Sequence, residues 1–199
     1  MAPMNPPPRL APVLRADSPY RIRLGRPDDL AAVARLMARC FPGPLSIGTW
    51  WPALWTHSIQ DDLLRRSRQP DLPHVWLIAT CPQPGCPPQV VAATELSQRP
   101  AGWQRIPQAY AYLANLAVDP AHRRRGLAQA LLAACEMETR QRRLTQIYLH
   151  VMASNRPAAA LYERVGYRLH RPDPNLWDWM TGRATRLLLV KSLSASPMP

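Results

Sequence analysis

Long apolar runs are missing from this chain of 199 residues, and none approaches the about 18 consecutive apolar residues that a bilayer-spanning helix needs. A single-span membrane protein is therefore not expected. Acidic residues are also scarce, 13 Asp and Glu against 25 Lys and Arg, for a formal net charge of +12. A carboxylate-rich pocket for a small cationic substrate is hard to build from so few. Cysteine occurs four times, too thinly for a disulfide framework in a chain this long. No internal repeat is evident, which sets solenoids aside. Residues 1–19 lack a continuous apolar segment of the secretory kind and are Pro-rich, so they read as a disordered tail and the chain as cytoplasmic. A plastid transit peptide is poorly supported, because the segment is short, not Ser-rich and contains Asp17.

What is present is enough for one domain. Apolar residues make up 47% of the chain, and its 24 Pro cluster at the N-terminus and in connecting segments, which leaves the periodic stretches mostly intact. The domain is expected over residues 20–191, with a flexible tail over 192–199. The positive charge is spread along the chain and the familiar nucleic-acid modules are not evident. It is read as support for an anionic ligand, and neither a stable nucleic-acid complex nor a membrane partner is expected.

The stretch that organises the chain runs from residue 110 to 134, AYLANLAV followed by DPAHRRRGLAQALLAA. An apolar run stops at Asp119-Pro120, three arginines follow, and Gly126 opens a segment whose apolar positions recur three and four apart. This reads as strand, turn, helix. Gly126 has no Cβ, so a ligand can approach its backbone, while the amides of the first helical turn point outward together. Arg123, Arg124 and Arg125 add charge-assisted donors at the same point. Alone, RRRG would be a solvated basic turn; between a strand and a helix it reads as an anion site suited to phosphate.

This segment, LAVDPAHRRRGLAQALL with an R-x-x-G-x-A core at Arg123, Gly126 and Ala128, resembles the acetyl-CoA signature of the GNAT N-acetyltransferases. A second segment over residues 147–169, IYLHVMASNRPAAALYERVGYRL, is similar to that family's partner motif. The close resemblance covers residues 110–169, and the order of elements extends it to about 20–191. It implies a single α/β domain with a mixed, mostly antiparallel central sheet flanked by helices, and acetyl-CoA as acyl donor. It also implies that Leu116, Ala117 and Val118 offer backbone groups to the pantetheine arm, and that Leu127, Ala128 and Gln129 join Gly126 around the phosphates. Asn155 serves either as helix cap or as a pantetheine contact, with Ala158 beside it. The segments most like this chain occur in ribosomal-protein-type N-terminal acetyltransferases and in the plastid and cyanobacterial group, which implies a protein α-amine or a lysine side chain as acceptor. A small-molecule amine, a noncatalytic acyl-CoA sensor and a nucleic-acid-binding protein are the alternatives.

Hydrophobic periodicity supplies the remaining elements. Residues 20–24 alternate as a strand and 28–40 carry helical spacing through Leu30, Val33, Ala34 and Met37. A helix-like SIQDDLLRRSR follows Trp50, Trp51 and Trp55, which would shape a substrate groove or simply pack. Residues 75–80 and 90–96 read as an antiparallel hairpin whose connection, CPQPGC, holds Cys81 and Cys86 as two thiols in a loop, with a disulfide or half a zinc site as the sharper alternatives. A polar loop with Trp103, a helix to about 143, a strand over 147–152, a helix over 156–165 closed by Gly166, a strand from 167, a loop with Trp177 and Trp179, and a strand over 186–191 complete the order.

Acetyl transfer to an amine needs a neutral nucleophile and a proton for the departing thiolate. Tyr162 is the candidate acid, since a phenol with an ordinary pKa near 10 is protonated at neutral pH and the family motif places its proton-donating Tyr there. The base is open. The strand at 109–118 has no carboxylate, so Glu95 on the preceding strand and His150 in YLHV are the candidates, with Tyr112 available to a water chain.

Overall fold

The alternation in RIRL does form a strand, β1 (Arg21–Leu24), and the apolar stripe after it forms a helix, α1 (Leu30–Cys40), entered through a 3-10 turn at Pro27–Asp29. The structure is a computed structural model and describes residues 14, 18–41, 74–102, 105–173 and 186–193. The expectations for Trp50, Trp51, Trp55 and the helix-like segment after them, and for Trp103, Trp177 and Trp179, lie outside the described residues. After α1 come β2 (His74–Gln83), β3 (Cys86–Arg99), β4 (Tyr110–Val118), α2 (Leu127–Gln141), β5 (Gln146–Met152), α3 (Arg156–Arg164), β6 (Arg168–Pro172) and β7 (Arg186–Ser192).

The strands form one seven-stranded sheet in the order β1-β2-β3-β4-β5-β7-β6. Every neighbouring pair is antiparallel except β4 and β5. This is the mixed, mostly antiparallel sheet that the sequence led us to expect. Period-two alternation assigns the faces. On β2, Leu77 and Ala79 join a cluster with Leu127, Leu131 and Cys135 of α2, whereas Trp76 and Ile78 join one with Leu30, Val33, Ala34 and Met37 of α1. Thus α1 and α2 cover opposite faces. Tyr162 and the partly buried Ala158, Leu161 and Val165, three and four apart on α3, belong to the α2 side.

Two boundaries differ from expectation. Cys81 and Cys86 are not in a loop: Cys81 pairs with Gln89, Cys86 pairs with Gln83, and only Pro84-Gly85 make the turn. Pro presets the first central position and Gly85, at φ 71°, takes the second, so the strands can be zipped almost to the tip. Both thiols are free, and among the described residues no group of three His, Cys, Asp or Glu could hold a metal ion. At the other end, β7 includes Ser192, and Leu193 is buried with its N–H donating to the Thr145 carbonyl at 2.8 Å. Leu14, within the segment read as a tail, packs against the main core. Among the described residues, no helix is long and apolar enough to cross a membrane.

Candidate active site

The glycine turn is built as its residue types require. Asp119 closes β4 by accepting from the Ala121 amide at 3.0 Å, and its other oxygen meets Arg39 of α1 at 2.9 Å. Arg123 folds back so that its Nε donates to the Val118 carbonyl at 3.1 Å. The Cys40 thiol donates to that same carbonyl at 3.4 Å. Arg124 at φ 63° and Gly126 at φ 79° are both left-handed, and α2 begins at Leu127 with Ala130 N–H donating to Gly126 O as its first rung. The amides of Leu127, Ala128 and Gln129 therefore precede the helical ladder. A Cβ on Gly126 would meet nothing within 4 Å, so the space beside it is open to a ligand. Arg123, Arg124, Arg125 and Gly126 are all exposed. These groups form an anion site that suits phosphate.

Next to this turn the sheet opens. β4 and β5 pair over only three rungs, Ala111 with Ile147, Tyr112 with Tyr148 and Leu113 with Leu149, although β4 continues to Val118 and β5 to Met152. The cause lies on the other edge of β4. Its register with β3 jumps between the Ala93–Ala117 and Glu95–Ala114 pairs, so that Asn115 and Leu116 together oppose Thr94, with Asn115 at φ 54°. Such a bulge bends the strand that carries it and increases its twist. Leu116, Ala117 and Val118 thus lie on the stretch of β4 that has left β5. This is the stretch whose backbone the GNAT resemblance assigns to the pantetheine arm.

Side chains approach this opening from both faces. From α3 comes Tyr162, 7% exposed, its ring edge-on to Tyr167 at 5.8 Å. Burial pushes its phenol up to about 12, helped by Cys135 and by the Tyr112 phenol. It is thus a protonated group throughout the neutral range. From the opposite face, Tyr112 Oη lies 2.8 Å from His150 Nδ1, and His150 Nε2 lies 2.7 Å from Asp173 Oδ2 just past β6. The partners assign the protons: a carboxylate only accepts, so Nε2 carries the hydrogen and donates to Asp173, which leaves Nδ1 to accept from the Tyr112 hydroxyl. Burial lowers the His150 pKa below its usual value, and the Asp173 hydrogen bond opposes this without overcoming it. Burial also raises Tyr112. The imidazole is neutral and basic at pH 7.

The other candidates are placed less suggestively. Glu95 is buried, accepts from the Asn115 amide at 2.8 Å and lies 3.1 Å from His74 Nε2. Its oxygens are thus engaged within β2, β3 and β4. Asn155 caps α3 by accepting from the Ala158 amide at 3.2 Å, which is one of its two expected roles. Sequence reading missed Asp173 and the bulge at Asn115. The run RPDPN carries no signal that its Asp meets a histidine 23 positions earlier. An Asn within an apolar strand is the one hint that AYLANLAV contained, since Asn tolerates the left-handed conformation it adopts in the bulge.

Comparison with known proteins places this geometry in a family. The acetyltransferase (GNAT) family model matches residues 30–167. The ribosomal protein bS18-alanine N-acetyltransferase of Escherichia coli (strain K12) is 36% identical over 84 residues, which is 42% of this chain and 57% of that protein, so the chain spans little more than half of the relative's length. The mycothiol acetyltransferase of Clavibacter michiganensis subsp. michiganensis is 38% identical over 84 residues, 41% of this chain and 28% of the other. Among solved structures, the ribosomal-protein-S18-alanine N-acetyltransferase from Escherichia coli superposes with a TM-score of 0.61 at 23% identity, covering 89% of this chain and 96% of that one. Arabidopsis thaliana NAA60 in complex with a bisubstrate analogue gives 0.63 at 19% identity, covering 89% and 99%. At those identities the two structures show a common fold. With the family model spanning the helices and strands that build the opening, the chain belongs to the GNAT acetyltransferase family.

Proposed function

We propose that this chain transfers acetyl from acetyl-CoA to the α-amine at a protein N-terminus, by direct attack in a ternary complex. The observation that carries the reading is the parting of β4 from β5 beside the glycine turn, with Tyr162 on one face and the Tyr112–His150 pair on the other. The turn and the amides at the start of α2 bind the phosphates, and the free stretch of β4 offers its backbone to the pantetheine arm. The amine nitrogen attacks the thioester carbon and the C–S bond breaks. Tyr162 delivers its proton to the departing thiolate. The proton shed by the amine goes to the Tyr112 oxygen while Tyr112 passes its own to His150 Nδ1, and exchange with solvent resets both groups.

The strength of the base supports an α-amine over a lysine. An α-ammonium has a pKa near 8 and is about one-tenth neutral at pH 7, whereas a lysine near 10.4 is neutral in only about one molecule in 2,500. A histidine whose pKa is lowered by burial is matched to the first. The relative that acetylates an alanine of ribosomal protein bS18 supports the same choice.

The test is to incubate the purified protein with acetyl-CoA and a panel of peptides, following thiol release and peptide mass. Peptides with a free N-terminus should gain one acetyl group, and N-terminally blocked, lysine-containing versions should not. Acetylation of the blocked peptides alone would overturn the α-amine assignment. No thiol release with any amine would overturn the enzyme reading.

A further inference from the structure

We propose that Asp173 is a positioning residue for acyl transfer, holding His150 in the tautomer and orientation that let it draw a proton through Tyr112. This rests on the reading of Tyr112 and His150 given above. Three observations support it. Among the described residues the carboxylate's shortest contact is the imidazole: Oδ2 lies 2.7 Å from His150 Nε2, whereas the guanidinium groups of Arg186 and Arg171 stand at 3.9 and 4.0 Å. An aspartate recruited only to neutralise those arginines would sit closer to them. The backbone fixes it as well. Asp173 N–H donates to the Arg186 carbonyl at 2.8 Å, which continues the β6–β7 ladder past a register shift between Leu169 and Arg171. The contact is also sheltered, with the His150 side chain 11% and the Asp173 side chain 21% exposed, so water competes weakly for the bond.

The consequence is a directed relay. An imidazole alone exchanges its proton between two nitrogens and turns about its own bonds. With Asp173 accepting from Nε2–H, the lone pair stays on Nδ1 and faces the Tyr112 hydroxyl. When His150 takes up the proton, the carboxylate stands beside the new positive charge. Among the described residues, the groups facing His150 are Tyr112 from β4, Arg171 from β6, Arg186 from β7 and Asp173 itself. Of these, the two arginines oppose imidazolium formation and Asp173 favours it. Removing the carboxylate should therefore lower the His150 pKa further.

The experiment compares wild type, Asp173→Asn and Asp173→Glu by nitrogen-15 NMR of histidine-labelled protein across pH, alongside steady-state acetylation of a free-N-terminus peptide. His150→Gln identifies the resonance. In wild type, His150 should be the Nε2–H tautomer. In Asp173→Asn, whose amide can donate to Nε2, the tautomer should reverse and the pKa should fall. Turnover should drop at least about tenfold, with KM for acetyl-CoA changed less than about twofold and partial recovery in Asp173→Glu. Unchanged His150 resonances in Asp173→Asn, or undiminished turnover against an active wild type, would overturn the positioning role. If wild type acetylates no amine while the tautomer still reverses, the acetyltransferase reading fails and the relay with it. A variant that unfolds is recognised by its melting curve, and the NMR of wild type and Asp173→Glu then decides.

Discussion

Tyr112 Oη and His150 Nδ1 stand 2.8 Å apart at the edge of the last parallel rung, from which β4 and β5 go separate ways. Tyr112 belongs to the paired stretch and His150 lies one residue past it. The pair therefore sits at the mouth of the opening, held by the sheet behind it. Its chemistry makes the first prediction. Burial holds the His150 pKa below the ordinary imidazole value, so the base stays neutral down through that value and takes up its proton only at lower pH. Turnover at saturating substrates should therefore hold through the neutral range and fall on an acid limb displaced below that of a free imidazole. His150→Gln should lose about a hundredfold in turnover and flatten this limb, as measured by a pH–rate profile with wild type alongside.

Tyr162→Phe should lower turnover by about tenfold or more while leaving acetyl-CoA affinity nearly unchanged, because the hydroxyl is needed for the thiolate and the ring for packing. With the phenol held up at about 12, wild type should show no loss of acid function up to about pH 9. Turnover measured beside calorimetric titration with acetyl-CoA separates the two effects.

Gly126→Asp should weaken acetyl-CoA binding by at least about tenfold, for it puts a negative charge where phosphate is expected and strains a position at φ 79°. Gly126→Ala carries the strain alone and should cost about 1 kcal/mol of stability, with a smaller loss of affinity. Titration of the two variants checks the order. Equal affinity for Asp and wild type would remove the turn from the binding site.

Asp119→Ala removes two ties at once, the bond to the Ala121 amide and the ion pair with Arg39. About 1 kcal/mol of stability should be lost, and KM for acetyl-CoA should rise because the turn is no longer fastened to α1. Arg39→Ala, which breaks only the surface pair, should cost less. Denaturant melts of both variants give the comparison.

Leu131→Ala, at a fully buried position of α2, should destabilise by about 2–5 kcal/mol. Its side chain packs in the core and offers no group to the reaction, so specific activity of the folded fraction should be retained, which thermal melts and activity at low temperature would report.

Most of the architecture was legible in the chain because its signals are local. The helical stripes of Leu30 to Met37 and Leu127 to Cys135, the opening of the second of these at Gly126 and the alternation in RIRL are each written within a dozen residues. The short helix that carries Tyr162 was equally local, with its Asn155 cap, its apolar stripe and its closing Gly166 all within a dozen residues. Asp173 was not legible, because its meeting with His150 depends on the register of β6 on β7 and on the pairing of β7 with β5. The Cys81–Cys86 segment misled for a related reason. Its prolines suggest a loose loop, yet a two-residue Pro-Gly turn is tight enough to pair the cysteines' strands to the end.

The three rungs between β4 and β5 also make a seam. On one side lie four strands joined by long antiparallel ladders, on the other three, and the sheet is continuous between them only at Ala111, Tyr112 and Leu113. Under the proposed function, a molecule that hydrogen-bonds along the unzipped edge of β4 while its far end rests on α2 would act as an eighth, borrowed strand. Its binding would mend the seam, so the energy of recognition would also be cohesion between the two halves, about 2.7 kcal/mol at a hundredfold excess over the dissociation constant. The protein would then be most nearly whole when it is about to react.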